Sequence, residues 1–450
     1  MKKVLFLLSF AFLSAGLFAQ SDDDLFSSDD DFFFDEGVAE ISESPAATSS
    51  ELNHGNLFEN GSVKVGGKIS SSLSTYTTLY ADDSLSFGDH LKDTTLVPDL
   101  SAELFVDARP TQVLRLYTKF AFAYPFVDRG YAVSTGLSPI LNVTINNWFN
   151  LKELFTDFSL GDNVNFRFGL HTVSWGAGYF FSPVSDIINS SSIDPENPDL
   201  TVDGSLNLRT QITFKDSQNC LWFYLILPSD FSSASFVPYL KDTALALKSD
   251  LVWGNWEFGL GGYYKLDSAP KALITASGGF KKINLFAEAV YSYGAASEWE
   301  SSTDWSGKSH IFQGTLGCSY YWKTPSITLA AQYYYDGNET DFKSKYLTSG
   351  HNFALVTNFG RIFGTTDFTA TIFGMLNIGK TKLDDSTKTL LENMNVSTSY
   401  LSSLTLSAIM NYSPNKNMTF GLGPYITMED FDSKPNVSLK FTASLGGGKF

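Results

Sequence analysis

Apolar and polar residues alternate along most of this chain, from about residue 63 to its end. In the final stretch every second residue is apolar, and this set is Val437, Leu439, Phe441, Ala443 and Leu445. Residues 283–293 repeat the pattern. Side chains of a β-strand point alternately to its two faces, so a period of two predicts strands with one apolar and one polar face.

The connections between these stretches alternate in length. Short turns such as Gly161-Asp162 and Gly254-Asn255 alternate with longer loops such as 125–150 and 174–205. Long loops at one end and tight turns at the other are typical of bacterial transmembrane barrels. We therefore predict an all-β fold, a transmembrane antiparallel β-barrel of about 18 strands, with 16 as the alternative count. The long loops would face the exterior and the short turns the periplasm.

The first 60 residues differ from the rest of the chain. Residues 1–19 combine Lys2 and Lys3 with an apolar run and a small-residue end, which is the pattern of a cleavable signal peptide. Residues 20–60 carry twelve acidic side chains and no Lys or Arg, a composition that favours disorder. The expected organisation is a signal peptide (1–19), an acidic disordered N-terminal tail (20–60) and a transmembrane β-barrel (61–450).

The composition agrees with membrane strands rather than membrane helices. Hydrophobic residues make up 43% of the chain, and only every second residue of a barrel strand has to face lipid. Aromatic residues, at 15%, suit the girdles at the two membrane interfaces. The formal charge of −17 gives no indication of nucleic-acid binding. Cys220 and Cys318 lie in predicted strands, and the sequence leaves their pairing open.

Residues 163–189 carry the most informative local motif. The motif residues are Gly169, Trp175, Gly176, Phe180, Phe181, Pro183, Asp186 and Asn189. This segment resembles the corresponding region of substrate-selective outer-membrane porins and of alginate-export-type barrels. The resemblance covers residues 151–214 and implies a porin-like channel, but it names no solute.

Residues 174–205 form the third external loop of the predicted barrel. In the porins that this chain resembles, that loop commonly folds into the lumen and narrows the pore. Its aromatic residues would be unfavourable in water, so we expect residues 176–205 to lie against the inner wall near Arg115, Arg167 and Arg209. An ordinary surface loop is the alternative.

Acidic and basic residues alternate from strand to strand on the predicted inward face. They could form a lattice of salt bridges, a polarised constriction that screens solutes by charge, or both. The candidate pore-lining residues of the wall and the third loop are Arg115, Lys119, Glu153, Asp157, Arg167, His171, Arg209, Trp175, Asp186 and Asp194.

Catalysis is not predicted for this chain. His171 and Ser174 are the one close His/Ser pair at a strand end, and no third partner that would orient them is identifiable. No phosphate-binding loop, paired-cysteine motif or zinc-binding histidine motif is present. We therefore expect no catalytic residue, no metal site and no cofactor.

The resulting hypothesis is an outer-membrane porin for passive diffusion of small hydrophilic solutes. The alternatives are an outer-membrane transporter of hydrophobic compounds such as fatty acids, or a surface adhesin. The expected partners are the lipid bilayer, the barrel-assembly machinery, periplasmic chaperones and the solutes, with no nucleic acid. The sequence leaves the oligomeric state open, a homotrimer included.

Overall fold

The computed structural model describes residues 58–60, 62–80, 92, 94–124, 149–173, 175–188, 204–215, 217–228, 239–337, 350–378, 402–415, 417–428 and 435–449. The predicted signal peptide and residues 20–57 of the predicted tail lie outside these ranges.

The described part of the chain contains nineteen strands, and all of their pairings are antiparallel. Their bounds are β1 (Phe58–Asn60), β2 (Val63–Tyr80), β3 (Thr95–Thr111), β4 (Leu114–Tyr124), β5 (Phe149–Leu160), β6 (Val164–His171), β7 (Ser205–Thr213), β8 (Cys220–Ile226), β9 (Ala244–Trp253), β10 (Trp256–Lys265), β11 (Lys271–Phe280), β12 (Ile283–Tyr293), β13 (His310–Trp322), β14 (Ile327–Asp336), β15 (His351–Phe359), β16 (Phe368–Ile378), β17 (Ser402–Asn415), β18 (Met418–Met428) and β19 (Asn436–Lys449).

Strands β2 to β19 close into a barrel. Each strand pairs with its neighbours in sequence, and β19 returns to pair with β2, for example at Lys440↔Tyr76. The closed antiparallel barrel of 18 strands confirms the predicted fold and excludes the count of 16. The short β1 pairs with the start of β2 at Phe58↔Val65, a strand that the sequence pattern did not predict.

The strand bounds lie close to those predicted from the alternation, and the main differences are extensions. The alternation of apolar and polar residues predicts a strand at 99–108. The observed β3 runs further, over Thr95–Thr111, because β2 is long enough to pair Tyr76 with Thr95. One short helix, α1 (Ala296–Ser301), and two 3-10 turns at Ser185–Ile187 and Leu240–Asp242 lie in the described connections. Within the described residues, no helix has the length and apolar character needed to cross a membrane.

The alternation of β9 shows how the two faces of the barrel differ. Ala246 is 2% exposed and points inward, whereas its neighbour Leu247 is 48% exposed and points outward. Inward positions of the same strand also hold Lys248 and Asp250. An outer face of exposed leucines that no other part of the described chain covers matches contact with lipid.

Exposed aromatic side chains lie near both ends of the strands. Trp253, Phe280 and Trp322 end their strands at the short turns, which we call the turn end of the barrel. Phe312 and Phe353 lie near the opposite end, which carries the long connections and which we call the loop end. This distribution matches the predicted aromatic girdles.

The two cysteines are free thiols on β8 and β13.

Candidate functional site

The chain that follows β6 turns into the barrel interior. Residues 175–188, which we call the infolded segment, bind inward side chains of β9, β12 and β14 through backbone groups. The segment is also bonded to itself, because the hydroxyl of Ser185 accepts the N–H groups of Trp175 and Gly176 at 3.2 and 3.0 Å. It is therefore a folded unit attached to the wall.

Glu288 on β12 is the main attachment point of this segment. Its side chain is only 3% exposed. One carboxylate oxygen accepts the N–H of Gly178 at 2.7 Å, and the other accepts the N–H of Val184 at 3.2 Å. The hydroxyl of Ser182 lies 3.1 Å from both oxygens. These donors compensate the cost of burying the charge, and each such bond contributes roughly 1.5–3 kcal/mol.

Gln332 and Lys248 provide two further attachments. The Gln332 carbonyl accepts the N–H of Phe180 at 2.6 Å, and its amide nitrogen donates to the carbonyl oxygen of Phe181. Lys248 Nζ donates to the carbonyl oxygen of Trp175 at 2.8 Å and pairs with Asp250 at 2.9 Å. The backbone of the segment is thus held from three strands.

Gly176 and Gly178 permit the close approach of this backbone. A Cβ atom at Gly176 would collide with the Ser182 hydroxyl and with a carboxylate oxygen of Glu288. A Cβ atom at Gly178 would collide with the carbonyl oxygen of Phe181. Gly176 of the sequence motif and the nearby Gly178 therefore have a steric role at the attachment point.

Two apolar clusters fill the space between the infolded segment and the wall. Trp175 packs edge-on against Tyr224 of β8, with ring centroids 5.0 Å apart, in a cluster that includes Val184, Leu273 and Val290. Phe180 packs with Ala330, Ala354, Val356 and Phe373 of β14 to β16. The segment therefore crosses the interior along the strands from β8 to β16.

Residues 176–188 lie against the inner wall, as predicted, but the prediction that they lie near Arg115 and Arg167 is wrong. Their contacts lie on β8 to β16, whereas Arg115 and Arg167 lie on β4 and β6. The reason is that the aromatic side chains of the infolded segment pack against apolar inward residues of these strands, and its backbone N–H groups donate to Glu288 and Gln332. Arg209 on β7 lies over Trp222, which belongs to the cluster around Val184. Asp186 is exposed and interacts electrostatically with Lys271. Asp194 lies outside the described residues.

The charged residues of β3 to β6 form ion pairs across neighbouring strands. Arg115 bonds Asp107 at 3.0 Å and Asp157 at 3.3 Å. Arg167 bonds the same Asp157 at 2.6 Å, and Lys119 bonds Glu103 at 3.3 Å. The register places Glu153 opposite Lys119. This network, which we call the charged wall, agrees with the predicted alternation of acids and bases.

Aromatic rings pack between the members of the charged wall. The Arg167 guanidinium lies 4.0 Å from the Phe155 ring centroid, and Phe155 stacks on Tyr117 at 5.0 Å. His171 is fully buried beside Phe155, and neither ring nitrogen has a hydrogen-bond partner among the described residues. Arg209 lies over Trp222 at 5.3 Å. Most of the predicted pore-lining residues are therefore packed into the wall, with Asp157 and Arg209 partly exposed.

Apart from the apolar residues that contact Phe180, the strands β15 to β19 offer mainly hydroxyls and amides to the interior. Thr371 bonds Asn358 at 2.8 Å, and Asn377 bonds Ser403 at 2.8 Å. Lys440 lies within 6 Å of the rings of both Tyr76 and Tyr425. This part of the wall is polar but carries few charges among the described residues.

The sequence analysis did not select Glu288, Gln332 or Lys248 as site residues. One signal was present, because Glu288 is the only acidic residue between Ile283 and Tyr293. A single inward acid in such a strand needs donors, but the sequence does not say which loop supplies them.

The comparisons with known proteins find similarity in structure and none in sequence. No family model matches this chain, and no curated protein matches it. The barrel is similar to the crystal structure of Pseudomonas aeruginosa OccK9 (OpdG), with a TM-score of 0.50 and 11% identity, over 86% of this chain and 98% of that chain.

Two further solved structures are similar at slightly lower TM-scores. A BenF-like porin from Pseudomonas fluorescens Pf-5 has a TM-score of 0.47 and 12% identity, over 87% of this chain and 99% of that chain. Acinetobacter baumannii OccAB4 has a TM-score of 0.47 and 9% identity, over 87% and 100%. At these identities, the likeness to OccK9 shows a shared fold alone, and the function has to be argued from the geometry of this chain.

Proposed function

We propose that this chain is an outer-membrane porin through which small hydrophilic solutes diffuse passively, without catalysis, cofactor or energy coupling. The observation that carries the proposal is a closed 18-stranded barrel that combines an exposed apolar outer face with a charged and polar inner wall. Such a barrel can enclose a water-filled path, and an inward segment can narrow it.

The passage on this proposal runs between the infolded segment and the charged wall. Among the described residues the segment binds β8 to β16, so on this proposal the passage lies toward β17–β19 and β2–β7. The acids and bases of the charged wall are mutually paired, for example Asp157 with Arg167 and Glu103 with Lys119. Paired charges give weak ion selectivity, and size would be the main criterion for passage.

The proposal includes the route to the membrane. Residues 1–19 would direct export and residues 20–60 would remain as a periplasmic tail. The barrel-assembly machinery and periplasmic chaperones would then handle the chain. The similarity to alginate-export-type barrels stays a prediction that rests on Gly169, Trp175 and Gly176. The oligomeric state also stays open, and light scattering would distinguish a monomer from a homotrimer.

Single-channel recording tests the function directly. The purified chain in a planar bilayer should give discrete conductance steps, and proteoliposomes should swell more slowly as the solute grows. Glu288→Ala removes the main attachment of the infolded segment and should raise the conductance. Its matched control is Asp304→Ala, an exposed acid in the loop after β12, which should leave the conductance unchanged.

Two results would overturn the porin proposal. A barrel that stays closed at all potentials and co-purifies with fatty acid would favour the hydrophobic-transport alternative. A barrel without conductance that binds cells through its loops would favour the adhesin.

A further inference from the structure

A cavity of about 290 Å³ opens beside the infolded segment at the loop end of the barrel. Its walls come from the β10–β11 hairpin, β12, α1 and β13, and Ile187 of the infolded segment contributes to them. At ~30 Å³ per water molecule, it has room for about ten waters. It is therefore large enough for a small organic solute.

Several hydrogen-bonding groups in this cavity lack partners in the described part of the chain. Ser292 is only 6% exposed, and its hydroxyl has no partner there. The hydroxyl of Tyr263 is likewise unpaired among those residues. The amide nitrogen of Gln313 donates to Tyr334 at 3.2 Å and to Asp336 at 3.0 Å, which leaves its carbonyl oxygen as an acceptor. Ser292 is buried and Tyr263 and Gln313 are half-buried, so these groups can bond to water or to a ligand that enters the cavity.

The charged groups of the cavity balance one another. Lys265 and Lys271 flank the hairpin, and Asp267 and Glu300 supply two carboxylates. None of these four forms an ion pair within the described ranges, although Lys271 interacts at longer distance with Asp186. Lys271 Nζ also lies 6.0 Å from the Tyr263 ring centroid. The lining thus offers donors and acceptors with no net charge.

The loop that contributes Trp299 to the cavity is held in place. Trp299 Nε1 donates to the carbonyl oxygen of Tyr293 at 2.8 Å, and Lys308 Nζ lies 4.7 Å from the indole. Glu298 accepts bonds from the Ser309 hydroxyl at 2.6 Å and from the Ala295 N–H at 2.9 Å. The bond from Ser309 is the largest cause that lowers the pKa of Glu298. The cavity wall is therefore formed before any ligand arrives.

We propose that this cavity binds a neutral, hydroxyl-rich solute of about monosaccharide size before it passes the infolded segment, an inference that rests on the proposed porin function. Each hydroxyl of such a solute both donates and accepts, which matches ammonium donors beside carboxylate and carbonyl acceptors. Tyr263 and Trp299 supply apolar surface for the C–H groups of the ring.

Ions fit the same cavity less well. A simple anion would face Asp267 and Glu300, and a simple cation would face Lys265 and Lys271. A betaine would pair its carboxylate with one ammonium and its quaternary nitrogen with one carboxylate, but it has no N–H or O–H group to donate to the Gln313 carbonyl oxygen. These ions are the competing outcomes of the test.

Saturation-transfer NMR on the detergent-solubilised full chain tests the site, with glucose, glycine betaine and sulfate as separate probes. Sulfate, which has no protons, is read through its competition with glucose. Glucose should bind saturably and more tightly than either ion. Ser292→Ala and Gln313→Ala should each weaken glucose binding by roughly 2- to 10-fold, the effect of one lost hydrogen bond. Ser407→Ala, an inward serine of β17 outside the cavity, should bind glucose as the wild type does.

The result that overturns this site is tighter binding of betaine or sulfate than of glucose, or equal glucose binding by all three variants. Ser292→Ala removes an unpaired hydroxyl, so it is expected to fold normally. Binding is measured here without current. If the chain conducts but does not bind glucose, the proposed binding site is refuted and the porin proposal stands. If it binds glucose but never conducts, the porin proposal is refuted.

Discussion

Glu288 shows how one side chain on a strand can position a distant loop. Its carboxylate has several hydrogen-bond donors, and the donors include backbone N–H groups of Gly178 and Val184. The sequence places Glu288 on the inward face by parity alone. It does not reveal the partner, because a contact between residues more than a hundred positions apart leaves no trace in the local pattern.

Gly176→Ala tests this attachment at its tightest point. The added methyl group would collide with the Ser182 hydroxyl and the Glu288 carboxylate, at a cost of about 1–3 kcal/mol in the docking of the infolded segment. We expect a larger and noisier single-channel conductance. Gly279→Ala in β11 is the matched control, since the nearest atom to its Cβ would lie 3.9 Å away. Equal conductance of the two variants would contradict the assigned role of Gly176.

At the scale of elements, the charged wall and the infolded segment differ in how far the sequence predicts them. Inward charges on neighbouring strands pair through the regular register, so Arg115 and Asp157 could be matched by parity. The position of the infolded segment, in contrast, depends on which inward surface matches its shape and its hydrogen-bonding groups. Its position on β8 to β16 depends on residues such as Ala354 and Phe373, which no motif marks.

Charge reversal in the wall separates its structural role from its electrostatic role. Arg167→Glu places a carboxylate against Asp157, which should cost about 3–5 kcal/mol and shift ion preference toward cations. Arg209→Glu, at a less buried position, should give a similar shift with a smaller loss of stability. The measurements are the reversal potential in a salt gradient and the urea midpoint. Lys323→Glu, exposed at the turn end, is the control, and an equal shift there would refute the prediction.

For the whole molecule, the period of two was enough to predict the barrel and its strands. Eighteen stretches with alternating connections match the eighteen strands of the closed sheet. The three residues of β1 are too few to show a period of two, so the sequence pattern could not predict this strand. Similarly, the pattern ends at Leu445, whereas β19 continues through a register shift between Ser444 and Gly447 to Lys449.

Heat-dependent gel mobility tests the closed barrel. An intact barrel resists unfolding by detergent, so unboiled and boiled samples of the full chain should migrate differently. Deletion of residues 436–449 removes β19 and opens the sheet between β18 and β2. The deleted chain should migrate at one position, boiled or not. A preserved difference would mean that closure by β19 is not what makes the barrel resistant.

The pairing of β19 with β2 has a consequence for the order of folding. These strands lie at opposite ends of the barrel's sequence and meet at contacts such as Lys440↔Tyr76. Their pairing therefore has the largest entropic cost of loop closure among the strand pairs of the barrel. Until it forms, each of the two strands presents unpaired backbone groups along one edge, and such edges recruit strands from other chains. Closure of the barrel therefore competes with aggregation. A partner that covers the free edge of β2 or β19 until the two strands pair would favour closure.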